Sequence, residues 1–235
     1  MKNLIDVHTH TVLSSHAYST ILENIKIAKE KELKYYGVSD HAPAITGGQN
    51  ILAIGNLKII PKYIEGIRVL RGVELNIIDI NGNHDVPLKY FEHLDYAIAS
   101  FHIPVIKNIS LKDVTNAYLN LCDNKDVTIL GHIDDERYKC DYEKVIKKCL
   151  ETETLIEIND SSLRPTASRV NGENNIKEIL GIAKNYQLPI IINSDAHICF
   201  DVGRIEEAMV IINSVKYPMD LIVNFNEKLI EKYFT

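Results

Sequence analysis

The sequence predicts an α/β fold built on a parallel sheet, and three observations carry that expectation. Short β-branched apolar runs alternate with amphipathic stretches at helical spacing. The chain has 235 residues, 46% of them apolar, which suits a single barrel-sized domain over residues 1–235. No linker or low-complexity segment interrupts the alternation. Seven candidate strands, most of them separated by helices, favour a closed, TIM-barrel-like sheet near the (β/α)8 type and one unit short of it. An open doubly wound sheet is the alternative.

Taken in order, Leu4–His8 reads as the first strand. Ser19, followed by Ile21, Leu22, Ile25, Ala28 and Leu33, reads as a capped helix with apolar residues at helical spacing. Strands are expected at Tyr35–Ser39, Ile67–Asn76 and Leu94–Phe101, each rich in β-branched or aromatic residues. Three helix–strand pairs follow: Leu111–Cys122 before Val127–Leu130, Tyr142–Leu150 before Leu155–Ile158, and Asn174–Asn185 before Pro189–Asn193. A last helix begins near Gly203 and carries Ile205, Ala208, Met209 and Ile212. The least regular stretch is Pro43–Pro61, with turn signals at Gly47-Gly48 and Gly55-Asn56. It reads either as a loop over a site or as an ordinary surface connection.

Composition excludes several function classes. A net charge of −6 argues against a general nucleic-acid binder, which carries a basic field. No apolar run approaches the roughly 18–20 residues of a membrane span. Met1-Lys2-Asn3-Leu4 runs straight into the first strand with no signal peptide, and Cys122, Cys140, Cys149 and Cys199 form no C-x-x-C pair. The expectation is a reduced, cytoplasmic protein.

The histidines and acids carry the chemistry. The first strand ends in His8-Thr9-His10, and residues i and i+2 of a strand point to one face, so both imidazoles can grip one ion. His16 follows just before the first helix. The later strands supply His41, Glu74, His102 and His132, and the last gives Asp195-Ala196-His197, again an i, i+2 pair. These nine candidate ligands sit at or just beyond the C-terminal ends of six expected strands, the face where parallel α/β folds build their sites. Scattered structural histidines would not respect strand ends; His84 and His93 do fall outside the pattern. Imidazole and carboxylate without thiolate suit zinc, manganese or iron, and nine ligands suit two or three ions rather than one.

Near these residues, Asp40 faces away from His41 on a regular strand, which favours a structural or supporting role over ligation. Asn159 ends a strand that supplies no ligand and reads either as an orienting group or as a turn former. Arg169 and Arg204 follow the sixth and seventh strands on the same side and are candidates for binding substrate phosphate. Arg164 and Arg137 are weaker candidates.

The same motifs, with Ser15-His16-Ala17-Tyr18-Ser19, Leu70-Arg71-Gly72-Val73-Glu74 and Glu157-Ile158-Asn159, resemble the PHP (polymerase and histidinol phosphatase) superfamily, closest to its YcdX-like phosphatase branch. The likeness runs from Asp6 to about Arg204. It implies a distorted seven-stranded (β/α)7 barrel forming one PHP-type domain with three divalent ions, usually zinc, with manganese or iron as alternatives. Carried over residue by residue, one ion takes His8, His10, Glu74 and Asp195. A second takes His16, His41 and His197, and a third shares Glu74 and takes His102 and His132. The chain departs from the branch at Ala42, often glycine there, and at Ile133-Asp134-Asp135-Glu136-Arg137, where many members have proline followed by glycine or aspartate. These departures bear on substrate preference, because every expected ligand is present.

The resemblance implies a phosphomonoester hydrolase in which a metal-bound hydroxide attacks phosphorus, Asp195 accepting a proton, and a small phosphorylated substrate. Histidinol phosphatase and PHP-type nuclease are the rival activities within the superfamily. A non-enzymatic metal-binding module is the rival of another class.

Overall fold

A computed structural model describes residues 1–234. Its strands form two sheets, and nearly all pairings are parallel. The first holds β1 (Ile5–Asp6), β2 (Tyr35–Val38), β3 (Tyr63–Ile64) and β4 (Ile67–Arg71) in the order β1-β2-β4-β3, with only β3 antiparallel. The second holds β5 (Glu74–Asn76), β6 (Ile98–Ser100), β7 (Ile129–Leu130), β8 (Leu155–Asn159) and β9 (Ile190–Asn193), in sequence order and all parallel. The α/β class and the parallel pairing expected from the alternation are present.

Helices α1 (Ile21–Glu30), α2 (Ile51–Asn56), α3 (Leu111–Cys122), α4 (Tyr142–Thr152), α5 (Gly172–Asn185), α6 (Glu206–Ser214) and α7 (Glu227–Phe234) make up most of the remainder. Helix α3 buries Val114, Ala117, Tyr118 and Leu121, the three-and-four spacing of one helical face, against the sheet core. Strands β8 and β9 are buried at every residue. A strand covered on both faces reads as a continuous apolar run, as here, rather than an alternating one.

Several elements differ from expectation for identifiable reasons. Thr20, not Ser19, caps α1: its hydroxyl accepts from Glu23 N while Glu23 reaches back to Thr20 N, a complete capping box. Ser19 instead accepts from Cys199 N with its hydroxyl. The single strand expected over Ile67–Asn76 is two strands in different sheets. Gly72 marks the break, because the Tyr96 ring lies where a Cβ would stand, 2.2 Å from its ideal position. The strand expected over Leu94–Phe101 is only Ile98–Ser100, preceded by a 3-10 turn over Leu88–His93. The irregular stretch Pro43–Pro61 contains α2 and a 3-10 turn over Leu57–Ile59, while β3 and α7 were not legible at all.

The two sheets meet through isolated pairings. His41 bridges to Glu74 at one seam and Thr9 to Ala196 at the other. Between β1 and β9 the ladder is made largely by side chains. Asn193 Oδ1 accepts from Val7 N, and Asp6 accepts from the Ser194 backbone and hydroxyl. Asn224, fully buried beyond the other end of these strands, accepts from Ile192 N and donates to the carbonyls of Ile5 and Ile192. It supplies the bonds that a neighbouring strand would otherwise make.

Replacing Asn224 with leucine of similar volume strands these buried backbone groups. Each orphaned group costs about 1–3 kcal/mol, so Asn224→Leu should lower the chemical-denaturation midpoint by an amount worth at least one of them. A midpoint unchanged from wild type would show that the seam does not depend on this side chain.

Candidate metal centre

The C-terminal ends of the strands converge on one carboxylate. Glu74 opens β5 and is fully buried. Around it stand His8 and His10 just past β1, His41 past β2, His102 past β6 and His132 past β7. Their ring nitrogens approach its oxygens at 3.4, 3.7, 2.6, 3.3 and 2.9 Å respectively. Asp195, past β9, lies 3.2 Å from His10 Nε2 and 3.5 Å from His8 Nε2. His197 Nε2 lies 2.9 Å from His16 Nε2 at the solvent-facing end. All nine predicted ligands are therefore brought together, grading from the buried His8 and Glu74 to the exposed His16. Asp195 and His132 both have left-handed backbone, with φ of 52° and 29°. Such conformations are unfavourable outside glycine and cluster at functional sites.

The donor set fits metal ions. His8 Nε2, His41 Nδ1 and Glu74 Oε2 are buried and have no hydrogen-bond partner, so His41 and Glu74 approach closely without the geometry of a bond. Buried polar atoms are rarely left unpaired, and a cation between them satisfies all three. Three compact triads each bring their donor atoms within 4.8 Å of one another: His8, His10 and Glu74; His10, His41 and His197; His41, Glu74 and His102.

The electrostatics prepare these groups to ligate. Burial alone would raise the Glu74 carboxyl, but His41, His8 and His102 outweigh it and hold it well below the carboxylate range. The same balance, with His8 and Arg169 as the leading charges, keeps Asp195 ionised. Burial, then His197 and His41, depress His10 strongly, and burial with Arg169 pushes His132 down to about 4. Both imidazoles are thus neutral, with free lone pairs, through neutral and mildly acid pH. Burial would also lower His8, but Glu157, Glu74 and Asp195 overcome it and hold it well above its ordinary value. Nδ1 of His8 sits 2.7 Å from Glu157, so a proton held there leaves Nε2 facing Glu74.

Supporting residues fix these orientations. Glu157, buried in the middle of β8, also accepts from Asn193, Asn159 and the His132 backbone. Sequence reasoning gave the sixth strand no role beyond Asn159. The available signal was a lone carboxylate inside the apolar run Leu155–Ile158. Asn159 both orients and turns: Nδ2 donates to Glu157 and Asp195, and Oδ1 accepts from Ser162 N. Asp40 binds no metal donor. It gathers Thr11 and Ser14 from the loop that carries His16.

The arginines separate. Arg169 donates to Asp195 at 2.7 Å and to Asn159 at 3.3 Å, and it lines a cavity of about 360 Å³ with His16, His41, His102, Asp195, His197 and Ile45. Ile45 brings the Pro43–Pro61 stretch to the site. Arg204 does not reach this cavity; it faces Asp160, Asp201, Glu206 and Glu207. Arg164 pairs with Asp160 and Asp201. Larger hollows exist, including one of about 510 Å³ beside Cys122, Thr154 and Lys232 at the opposite end of the strands, but they hold none of these donors.

Fold and site together define an α/β protein whose strand ends gather a histidine and carboxylate cluster able to hold metal ions. The sequence pattern of the PHP domain matches residues 6–163, and the chain belongs to that family. It is 40% identical over 233 residues to a protein of Clostridium novyi named a probable phosphatase, covering 99% of this chain and 95% of the relative. Among solved structures it resembles the histidinol phosphate phosphatase of Lactococcus lactis complexed with zinc, L-histidinol and phosphate. The TM-score is 0.61 at 15% identity, covering 93% of this chain and 95% of the other. A chain in the structure of archaeal ribonuclease P with mature tRNA matches as well, with a TM-score of 0.62 at 16% identity over 97% and 89% of the two chains. At such identities the likeness is one of fold.

Two outcomes follow from this centre. Gently purified protein should contain at least two divalent ions per chain by elemental analysis; one or none would contradict a multinuclear site. Loss of an orienting partner typically weakens metal binding by about 10–100-fold, so Glu157→Gln should show that loss in competition with a chelator while circular dichroism stays native. Undiminished affinity would remove Glu157 from the site.

Proposed function

We propose that this chain is a phosphatase that cleaves small phosphomonoesters with three divalent ions, zinc first among them, with manganese or iron as alternatives. The observation that carries the reading is the convergence of nine candidate donors around Glu74, five of which (His16, His41, His102, Asp195 and His197) line one cavity with the Arg169 guanidinium. In this reading residues 1–235 form a single PHP-type domain, and the two sheets, bridged by isolated pairings, close as a distorted (β/α)7 barrel. His8, His10, Glu74 and Asp195 hold one ion. His16, His41 and His197 hold a second, and Glu74, His102 and His132 hold the third. The compact triads overlap these sets and share donors between them, as adjoining sites around one carboxylate require.

Bound divalent ions would supply Lewis acidity, lowering the pKa of water towards roughly 7 and offsetting charge on phosphoryl oxygens. The protein's own residues do the rest. Arg169 faces the phosphoryl group, where a guanidinium matches phosphate geometry. It is held by Asn159 and Asp195. Water attacks phosphorus opposite the ester oxygen, the P–O ester bond breaks, and the ester oxygen takes a proton from solvent to leave as the alcohol while inorganic phosphate forms. Asp195, positioned by Arg169 through Oδ2, takes the proton of the attacking water. Arg204 has no place in this scheme, since carboxylates surround it.

No helix among the described residues is long and apolar enough to cross a membrane, which accords with action in the cytoplasm on a soluble metabolite.

The test is hydrolysis of 4-nitrophenyl phosphate by protein loaded in turn with zinc, manganese and iron. Turnover is expected, and absence of turnover across metals and pH at full metal loading would overturn the reading. Positioned acid–base groups contribute about 10²–10⁴-fold, so Asp195→Asn should lower kcat by that order. A change of less than tenfold would give the proton to another group.

A further inference from the structure

The cavity at the metal cluster continues past His102. A second hollow of about 250 Å³ adjoins it, and the two share His102, Ser168 and Arg169. Phe101, Tyr138 and Arg137 line its other side. The rings of Phe101 and Tyr138 stack at 4.9 Å, and the Tyr138 hydroxyl is already donated to the Ile106 carbonyl. These two rings make a firm apolar floor with no free polar group.

Arg137 is held differently. Its Nε lies 2.8 and 3.0 Å from the two oxygens of Asp135, and Nη2 bonds the same carboxylate, while Nη1 makes no hydrogen bond among the described residues. Asp135 is buried and fixed in turn by the backbone amides of Arg137 and Val170. A fork–fork pair of this kind sets the plane of a guanidinium. One edge is anchored and the other is left for a ligand, on a side chain still about one-third exposed (34%). An exposed arginine that merely solvates its charge needs no such mount.

The geometry points to this hollow as the subsite for the leaving group, with Arg137 selecting phosphomonoesters whose alcohol carries a second anionic group. The inference rests on the phosphatase reading above. A phosphoryl group held between the cluster and Arg169 can direct its alcohol past His102 and Ser168, where the two cavities join. The hollow bordered by His102 and His132 receives it there. At about 250 Å³ the hollow lies below the roughly 300–1,000 Å³ of ordinary ligand pockets, so it suits a compact acid rather than a bulky or polymeric group.

The test compares 3-phosphoglycerate with glycerol 3-phosphate, which differ by a carboxylate in place of a hydroxymethyl group. Charge-assisted hydrogen bonds support a preference in kcat/KM on the order of 10–100-fold for the carboxylate substrate in the wild type. Arg137→Met should abolish that preference. Arg137→Lys keeps a cation beside buried Asp135, so it keeps the fold even where the methionine variant does not, and its preference should fall without vanishing. A preference that survives in both variants, or its absence in wild type, would overturn the inference and leave Arg137 a structural partner of Asp135. Should metal-loaded wild type hydrolyse neither compound nor 4-nitrophenyl phosphate, the phosphatase reading fails by itself. Calorimetric binding of 3-phosphoglycerate then decides the role of Arg137: weaker binding in Arg137→Lys supports it, and equal binding refutes it.

Discussion

A carboxylate with no access to water, surrounded by five imidazoles, is the constraint to which the rest of this structure answers. Glu74 is fully buried, and an isolated buried carboxylate is costly enough that it would ordinarily take up a proton. Here the surrounding histidines reverse that outcome and keep it charged. Removing the histidines would leave an uncompensated buried charge; removing the carboxylate would leave the protonated His8 with one fewer counter-charge. Each half makes sense with the other, and buried atoms on His8, His41 and Glu74 have no hydrogen-bond partner among the described residues.

The demand propagates outward. His8 presents Nε2 to the centre because Glu157 takes Nδ1, and Glu157 stays in place because Asn159, Asn193 and the His132 amide all donate to it. Asp195 is fixed by Arg169, which Asn159 steadies. A shell of this kind tunes and orients ligands as much as the ligands themselves do. It explains why polar residues occupy the ends of strands whose other positions are isoleucine, leucine and valine. Asp40 extends the same logic to the His16 loop.

The two ends of the strands divide the labour. At the C-terminal ends, left-handed backbone at His132 and Asp195 and buried charge are tolerated because they serve the centre. At the N-terminal ends, Asn224 and helix α7 seal the β1–β9 seam with ordinary hydrogen bonds and apolar packing. Stability is concentrated at one end and chemistry at the other, the usual arrangement in barrel-like α/β folds.

The sequence by itself determined the α/β alternation, helices such as Leu111–Cys122, and the whole donor set at strand ends. Those features rest on local rules: helical periodicity, and the two-residue period that puts His8 and His10 on one face. Tertiary structure alone decided what depends on residues far apart in the chain. Glu157 meets His8 across 149 positions and Asn224 meets Ile5 across 219. The Tyr96 ring splits the run Ile67–Asn76 at Gly72. Four arginines that look alike in sequence part company, Arg169 and Arg137 facing the cavities while Arg164 and Arg204 face acids. Local pattern fixes which way a side chain leaves its strand, but only the folded chain fixes which charge it meets.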